Sequence, residues 1–159
     1  DQAERARLYK EMQEEVSGLQ MNFKGDDPCI EVLKAPSYTF SISMKYKCFF
    51  TDYVEIKRHF PDIIQLLQLD GAKRKHFYGK VLQNLQKNGY LRTDLTEKDL
   101  EFLMNLSGWV RTMYFINISL GDQRKSDIEK TYLYTVNNVL KPYLSDMGKG
   151  KAQEMNLID

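Results

Sequence analysis

The sequence is poor in the residues that build metal centres and cross-links. Two cysteines, Cys29 and Cys48, and two histidines, His59 and His76, are all that its 159 residues hold. The cysteines are 19 residues apart with no CxxC, so neither a disulfide framework nor a zinc ribbon is written here, and reduced thiols in a cytoplasmic chain are the plain reading. No Gly-rich phosphate loop, HExxH or GxSxG is present, which removes the commonest nucleotide, zinc-protease and hydrolase signatures. Charge of one sign is lacking too. Lys and Arg number 23 against 22 Asp and Glu, a net +1, which gives this chain no electrostatic reason to bind nucleic acid or an anionic membrane. No signal peptide is visible. Only four prolines interrupt the chain, and long periodic segments follow from that. What remains is 42% hydrophobic and 28% charged with ten tyrosines, the composition of one soluble globular domain of the all-α class.

The most apolar stretch is Leu100–Leu120. Leu100, Leu103, Met104 and Leu106 keep a helical stripe. From Trp109 onward, Val110, Met113, Tyr114, Phe115, Ile116 and Ile118 point in almost every direction around a helix. Such a helix must be covered on more than one side. Asn105, Arg111 and Asn117 inside it argue against a membrane span. One face is expected in the chain's own core and another against a second copy.

Other segments read in order. Ala6, Tyr9, Met12 or Gln13, Val16, Leu19 and Phe23 give a helix over 1–23, without an N-cap, followed by a break at Gly25-Asp26-Asp27-Pro28. A short turn over 29–35 precedes a helix from Ser37 to Lys57 that Pro36 opens. His59-Phe60-Pro61 punctuates, and a long helix runs from Asp62 to Asn88, with Ile63, Leu66, Leu67, Phe77, Val81, Leu82 and Leu85 inward and Gly71 as a point of bending. Asn88-Gly89 stops it. Thr96-Glu97-Lys98-Asp99 resembles a capping box for the central helix, which Gly121 ends. Ser126-Asp127-Ile128-Glu129 is a second box, opening a helix to Met147 that Pro142 should kink near Asn138. Residues 148–159 read as a flexible tail.

Candidate chemistry is sparse. Asp52, Glu55 and His59 share a helical face and present two carboxylates and an imidazole to a metal, but a solvated, capping face is the simpler account, and no metal or other cofactor is expected. Lys73-Arg74-Lys75-His76 with Lys80 is basic enough to touch phosphate, though such runs are usually solvated. Arg111, midway along the most apolar helix, suits a ligand carboxylate or an ion pair to an Asp or Glu. Tyr38, Met44, Phe49, Tyr53, Phe77, Tyr78, Trp109 and Met113 are either plain core or the lining of a pocket with polar tips. Ser41, Ser43, Asn105 and Thr112 interleave with them. As a pocket they would enclose a cavity between the helices of 37–57, 62–88 and 100–113. The last helix carries a second apolar face at Leu133, Leu140 and Leu144. With Tyr114, Ile118 and Asn137 it is expected at the centre of a homodimer seam.

Phe40–Ile63 (FSISMKYKCFFTDYVEIKRHFPDI), Gly79–Arg92 (GKVLQNLQKNGYLR), the central helix and Tyr134–Leu144 (YTVNNVLKPYL) together resemble the C-terminal half of a TetR-type transcriptional regulator. That resemblance implies an all-helical domain with a small hydrophobic or amphipathic effector in its core and no enzyme activity. It implies a homodimer made by the last two long helices as a four-helix bundle. Residues 1–23 would be the linking helix from a missing N-terminal DNA-binding domain, 24–147 the ligand-binding and dimerisation domain. DNA would be met only through the missing helix-turn-helix head, and no membrane is involved. Two other classes stay open: a helical dimerisation module with no ligand, and a small helical metal-dependent enzyme.

Overall fold

The computed structural model describes residues 1–20, 27–118 and 125–159. Phe23, Gly25, Asp26, Leu120 and Gly121 lie outside them, as do the side chains of Leu19 and Ser126. The described residues form helices and no strand: α1 (Gln2–Gln20), α2 (Pro28–Lys45), α3 (Cys48–Thr51), α4 (Tyr53–His59), α5 (Pro61–Lys87), α6 (Glu97–Ile118), α7 (Lys125–Leu140) and α8 (Asp146–Glu154), with a 3-10 turn at Lys141–Tyr143. The all-α expectation holds.

α2 is the spine. Asp27 caps it, its carboxylate accepting from the Cys29 and Ile30 backbone N–H groups, and Pro28 takes the first turn. With a complete N-terminus already supplied there, no new helix starts at Pro36. Pro36 instead sits buried inside one continuous helix. The missing N–H costs roughly 3 kcal/mol in a helix interior. Two local hydroxyls cover neighbouring carbonyls, Ser37 Oγ donating to Lys34 O at 2.8 Å and Thr39 Oγ1 to Ala35 O at 3.3 Å. Buried Cys29, Leu33, Ala35 and Phe40 hold the helix in place.

Where the periodicity of Ser37–Lys57 predicted one helix, the chain bends after Lys45 and again at Asp52. Neither Gly nor Pro marks these breaks. They turn two adjacent phenylalanines onto different neighbours: Phe49 meets Tyr9 of α1 edge-on at 5.4 Å, and Phe50 stacks on Phe115 of α6 at 5.2 Å.

The remaining termini follow their local chemistry. α5 begins at Pro61 and ends in a Schellman motif, with Gly89 at φ +80°, Gly89 N–H donating to Gln86 O and Tyr90 N–H to Leu85 O. At the start of α6, Asp99 N–H donates to Thr96 Oγ1 at 3.3 Å and Thr96 N–H to Asp99 Oδ2 at 2.7 Å, a reciprocal capping box. Pro142 does not kink the last long helix. It ends it: α7 stops at Leu140, and Leu144 is extended and bridges antiparallel to Leu91. Nor is 148–159 a loose tail. Ser145 caps α8, and Gly148, Ala152 and Ile158 are buried. Gly148 permits that docking, since a Cβ there would lie 2.3 Å from Tyr90 O.

Three apolar clusters result. One joins the start of α2, the end of α5, the start of α6 and α8 around Leu33, Leu85, Leu91, Leu103 and Leu144. A second seats α1 against α4 and the start of α5 through Tyr9, Met12, Phe49, Ile56 and Ile63. The third, aromatic and lying between α2, α6 and α7, holds Phe40, Phe115, Ile128, Tyr132 and Val136.

Candidate functional site

The third cluster contains the chemistry. Its rings are Phe40, Tyr114, Phe115 and Tyr132, with Phe40–Tyr132 and Phe115–Tyr132 centroids 5.3 and 5.1 Å apart. Tyr114 settles its own hydroxyl by donating to Ile128 O at 2.7 Å. Tyr132 does not. It is fully buried, and its Oη has no hydrogen-bond partner. Burial raises its pKa above the ordinary phenol value, against the opposing pull of the Arg111 charge and the nearby Thr39 hydroxyl.

Arg111 of α6 reaches the same place. Its Nε is shielded from solvent without a hydrogen-bond partner. Burial works against its charge, but the Tyr132 and Tyr78 phenols beside it outweigh that and hold its pKa above the usual guanidinium value. No carboxylate of the described residues forms an ion pair with it, so the expected Asp or Glu partner is not found among them. Four helices thus bring polar tips together: Thr39 from α2, Tyr78 from α5, Arg111 from α6 and Tyr132 from α7. Unsatisfied buried polar atoms each forfeit about 1–3 kcal/mol, so two in one place require an explanation.

The other expected lining residues are scattered. Met44 packs against the aromatic cluster and Tyr78 flanks Arg111. Phe49 belongs to the α1 cluster instead. Tyr38, Tyr53, Phe77, Trp109 and Met113 are all more than two-fifths exposed. The eight therefore do not enclose one void. Two shallow clefts, of about 450 and 260 Å³, lie at the start of α1, lined by residues such as Ala6, Ile63 and Leu66 in one and Arg5, Leu8 and Phe49 in the other. Neither is between α2, α5 and α6.

The expected seam residues also face inward. Leu140 and Leu144 are buried in the first cluster, and Asn137 is buried with its Nδ2 donating to Leu157 O at 3.0 Å. Tyr114, Ile118 and Leu133 pack on the aromatic cluster. Two sets of neighbours account for this: α2 and α6 take up Tyr114, Ile118 and Leu133, while the docked C-terminal segment meets Asn137 and joins Leu140 and Leu144 in the first cluster. Exposed apolar side chains remain on several helices, Val54 of α4 and Leu66 and Leu69 of α5 among them, and on α6 they form a stripe. Phe102, Trp109 and Met113, at i, i+7 and i+11, fall within about 40° of one another around the helix, and all three are more than half exposed.

Asp52, Glu55 and His59 do not converge on a metal. Glu55 pairs with Arg58 at 3.2 Å and His59 at 3.3 Å, Asp52 faces Arg5 at 3.9 Å, and no cluster of metal-binding side chains occurs among the described residues. The basic run is a solvated face of α5, with Lys75 bonded to Glu101 at 2.7 Å.

A family model described as TetR, bacterial transcriptional repressor, matches residues 11–151. The chain belongs to the TetR family. No curated protein and no solved structure matches it. Its role is accordingly in transcriptional regulation. The matched span covers the second half of α1 and every later helix up to the middle of α8. No helix among the described residues is long and apolar enough to cross a membrane. Neither Tyr132 nor Thr39 is among the site residues expected from the sequence. The available signal was that both carry hydroxyls within reach of a helix bearing a lone arginine.

Proposed function

We propose that this chain is the effector-sensing and dimerisation domain of a TetR-family repressor, in which a small amphipathic molecule enters the aromatic cluster and weakens operator binding by a DNA-reading head carried on α1. The observation that carries the sensing half is the pair of unpartnered polar atoms, Arg111 Nε and Tyr132 Oη, inside an otherwise aromatic core. A binding site keeps such groups at the expense of stability. Because Tyr132 is fully buried, a ligand reaches it by parting α6 or α7 from its neighbours, and that movement is the signal.

A route to α1 is present. Phe50 stacks on Phe115 in the aromatic cluster, and Phe49, its neighbour on the short helix α3, packs on Tyr9 of α1. α1 is tied to the body at several further points: Tyr9 Oη to Asp70 at 2.6 Å, Glu15 to Lys45 and Tyr46, and the Arg5 guanidinium over the Phe60 ring at 5.2 Å. A shift of α3 therefore tilts α1 as a unit. Tilting changes the separation of two DNA-reading heads, and half-site spacing is a strict geometric requirement.

For the dimer, the Phe102–Trp109–Met113 stripe is the surface a second α6 would cover about a two-fold axis. Two experiments test the reading. Thermal-shift screening against lipophilic and amphipathic compounds should find binders, since a ligand of the folded state raises its stability, and these should weaken operator binding by the full-length regulator. Sedimentation should show a dimer at micromolar concentration that Trp109→Glu splits without loss of helix. A library without binders defeats the sensing half, and a wild-type monomer defeats the dimer.

A further inference from the structure

We propose that the effector carries a carboxylate, gripped by the Arg111 guanidinium and the Tyr132 hydroxyl, on an apolar body that packs among Phe40, Tyr114 and Phe115. This rests on the sensing role above and names the ligand class for the same site.

The chemistry of the four converging groups sets the headgroup. Arg111 supplies one full positive charge and a planar fork of donors, and no carboxylate of the described residues neutralises it. Its Nε still owes a hydrogen bond. Tyr132 Oη, which the Thr39 hydroxyl approaches without forming a well-aligned hydrogen bond, supplies one more donor beside it. A half-buried cation whose Nε is shielded, with a further donor beside it, calls for an anionic acceptor, because away from water an unpaired charge is more costly than a paired one. The number of donors selects among anions. A phosphate monoester brings close to two charges and three acceptor oxygens, and among the described residues Arg111 is the one cation that acts on Tyr132 here. A carboxylate brings one charge and two coplanar oxygens that match the guanidinium fork. Thr39 and Tyr78 add neutral hydroxyls at the edge. The surrounding surface is aromatic, so the remainder of the molecule is apolar and offers rings or branched carbons to Phe40, Phe115 and Tyr114.

An alternative account makes Arg111 a structural residue that orders the core. The two readings differ without any ligand. A structural arginine stabilises, so its removal loosens the fold. An arginine kept for a ligand leaves an unpaired buried group, so Arg111→Met should melt at or above the wild-type temperature.

The probes are 4-phenylbutyrate and decanoate, each against its primary amide, with calorimetry and thermal shift on the 159-residue chain. Carboxylates should bind roughly 10- to 100-fold tighter than their amides, the range expected for a charge-assisted hydrogen bond over a neutral one. Arg111→Met should erase that preference while leaving weak amide binding in place, and Tyr132→Phe should reduce carboxylate affinity by about tenfold. An Arg111→Met chain that melts below the wild type or fails to fold supports the structural account and overturns the proposal; Arg111→Lys, which retains charge but not the fork, should lower carboxylate affinity selectively, and unchanged affinity overturns it. Equal binding of acid and amide overturns it, as does a preference that survives Arg111→Met. Binding of neutral compounds with carboxylates excluded overturns the headgroup assignment and leaves the sensing role standing. Silence from both series overturns the proposal, and only silence across the wider library removes the sensing role as well.

Discussion

Replacing Gly148 with Ala separates tertiary packing from local preference, because the two predict opposite signs. In a helix interior, Gly to Ala is worth about 1 kcal/mol of stabilisation. At Gly148 the added methyl would lie 2.3 Å from Tyr90 O and 3.2 Å from Leu144 Cδ2. Relief needs a displacement of about 1 Å, in a place where both sides are tied. Tyr90 O accepts from Ser145 N–H at 2.9 Å, and Arg92 N–H donates to Tyr143 O at 3.0 Å across the Leu91–Leu144 bridge. Overpacking costs about 1–3 kcal/mol, and loss of the Tyr90–Ser145 bond about 1–3 kcal/mol more if the carbonyl stays buried. Less the propensity gain, the net is a loss of about 3 kcal/mol. A domain of this size loses about 2–4 °C per kcal/mol, so Tm should fall by roughly 6–12 °C. Gly150, on the same helix with nothing within 4 Å of a built Cβ, is the control. Gly150→Ala should hold or raise Tm. Thermal melts followed by circular dichroism read both variants. A Gly148→Ala protein as stable as the parent would show that α8 does not dock on the α5–α6 turn as described.

Other outcomes follow from the same packing. Leu140→Glu puts a charge into the first cluster, where Leu140 is 7% exposed; it should unfold the chain, with a loss of at least about 4 kcal/mol, and a folded monomer at unchanged Tm would contradict this. Asp27 gives an acid limb. Burial would raise its pKa, but the Lys151 ammonium and the Ile30 and Cys29 N–H groups outweigh that and hold it below the usual value of 3.8. Its contribution is therefore complete above that value and is lost as pH falls through the lowered pKa. Asp27→Asn keeps a good N-cap and should flatten this part of the stability profile in urea titrations between about pH 2 and 5, by on the order of 1 kcal/mol because the partner Lys151 is partly solvated. An unchanged profile would count against the Asp27–Lys151 pair. Phe50→Leu should leave effector affinity nearly intact while the effector's weakening of operator binding, of the order of 5- to 150-fold for allosteric coupling, drops below about fivefold. Full retention of coupling would remove α3 from the route.

Much of this protein was legible in its sequence. The helical class, the long α5 after the Pro61 break with its Gly89 stop, and the Thr96–Asp99 box are local matters. They depend on caps, turns and periodicity within a few residues, and they appear where the sequence put them. The family resemblance rested on four segments, and the family model spans them. Arg111 stood out because a charge in an apolar helix is anomalous in any fold. Tertiary structure decided the rest. Pro36 was read as a start because its local cost is high, yet packing of Leu33 and Phe40 on both sides carries the helix through it. The breaks after Lys45 and at Asp52 carry no local signal and follow from two phenylalanines finding different clusters. Which apolar face points outward is the least local property of all. The second stripe of α7 appeared free because residues 148–159 read as a flexible tail; Leu133 instead packs on the aromatic cluster, and Leu140 and Leu144 join a cluster that Ala152 and Ile158 of the docked C-terminal segment help to close. Amphipathic periodicity states how many faces a helix has; the partner that covers each is fixed by the chain's long-range path.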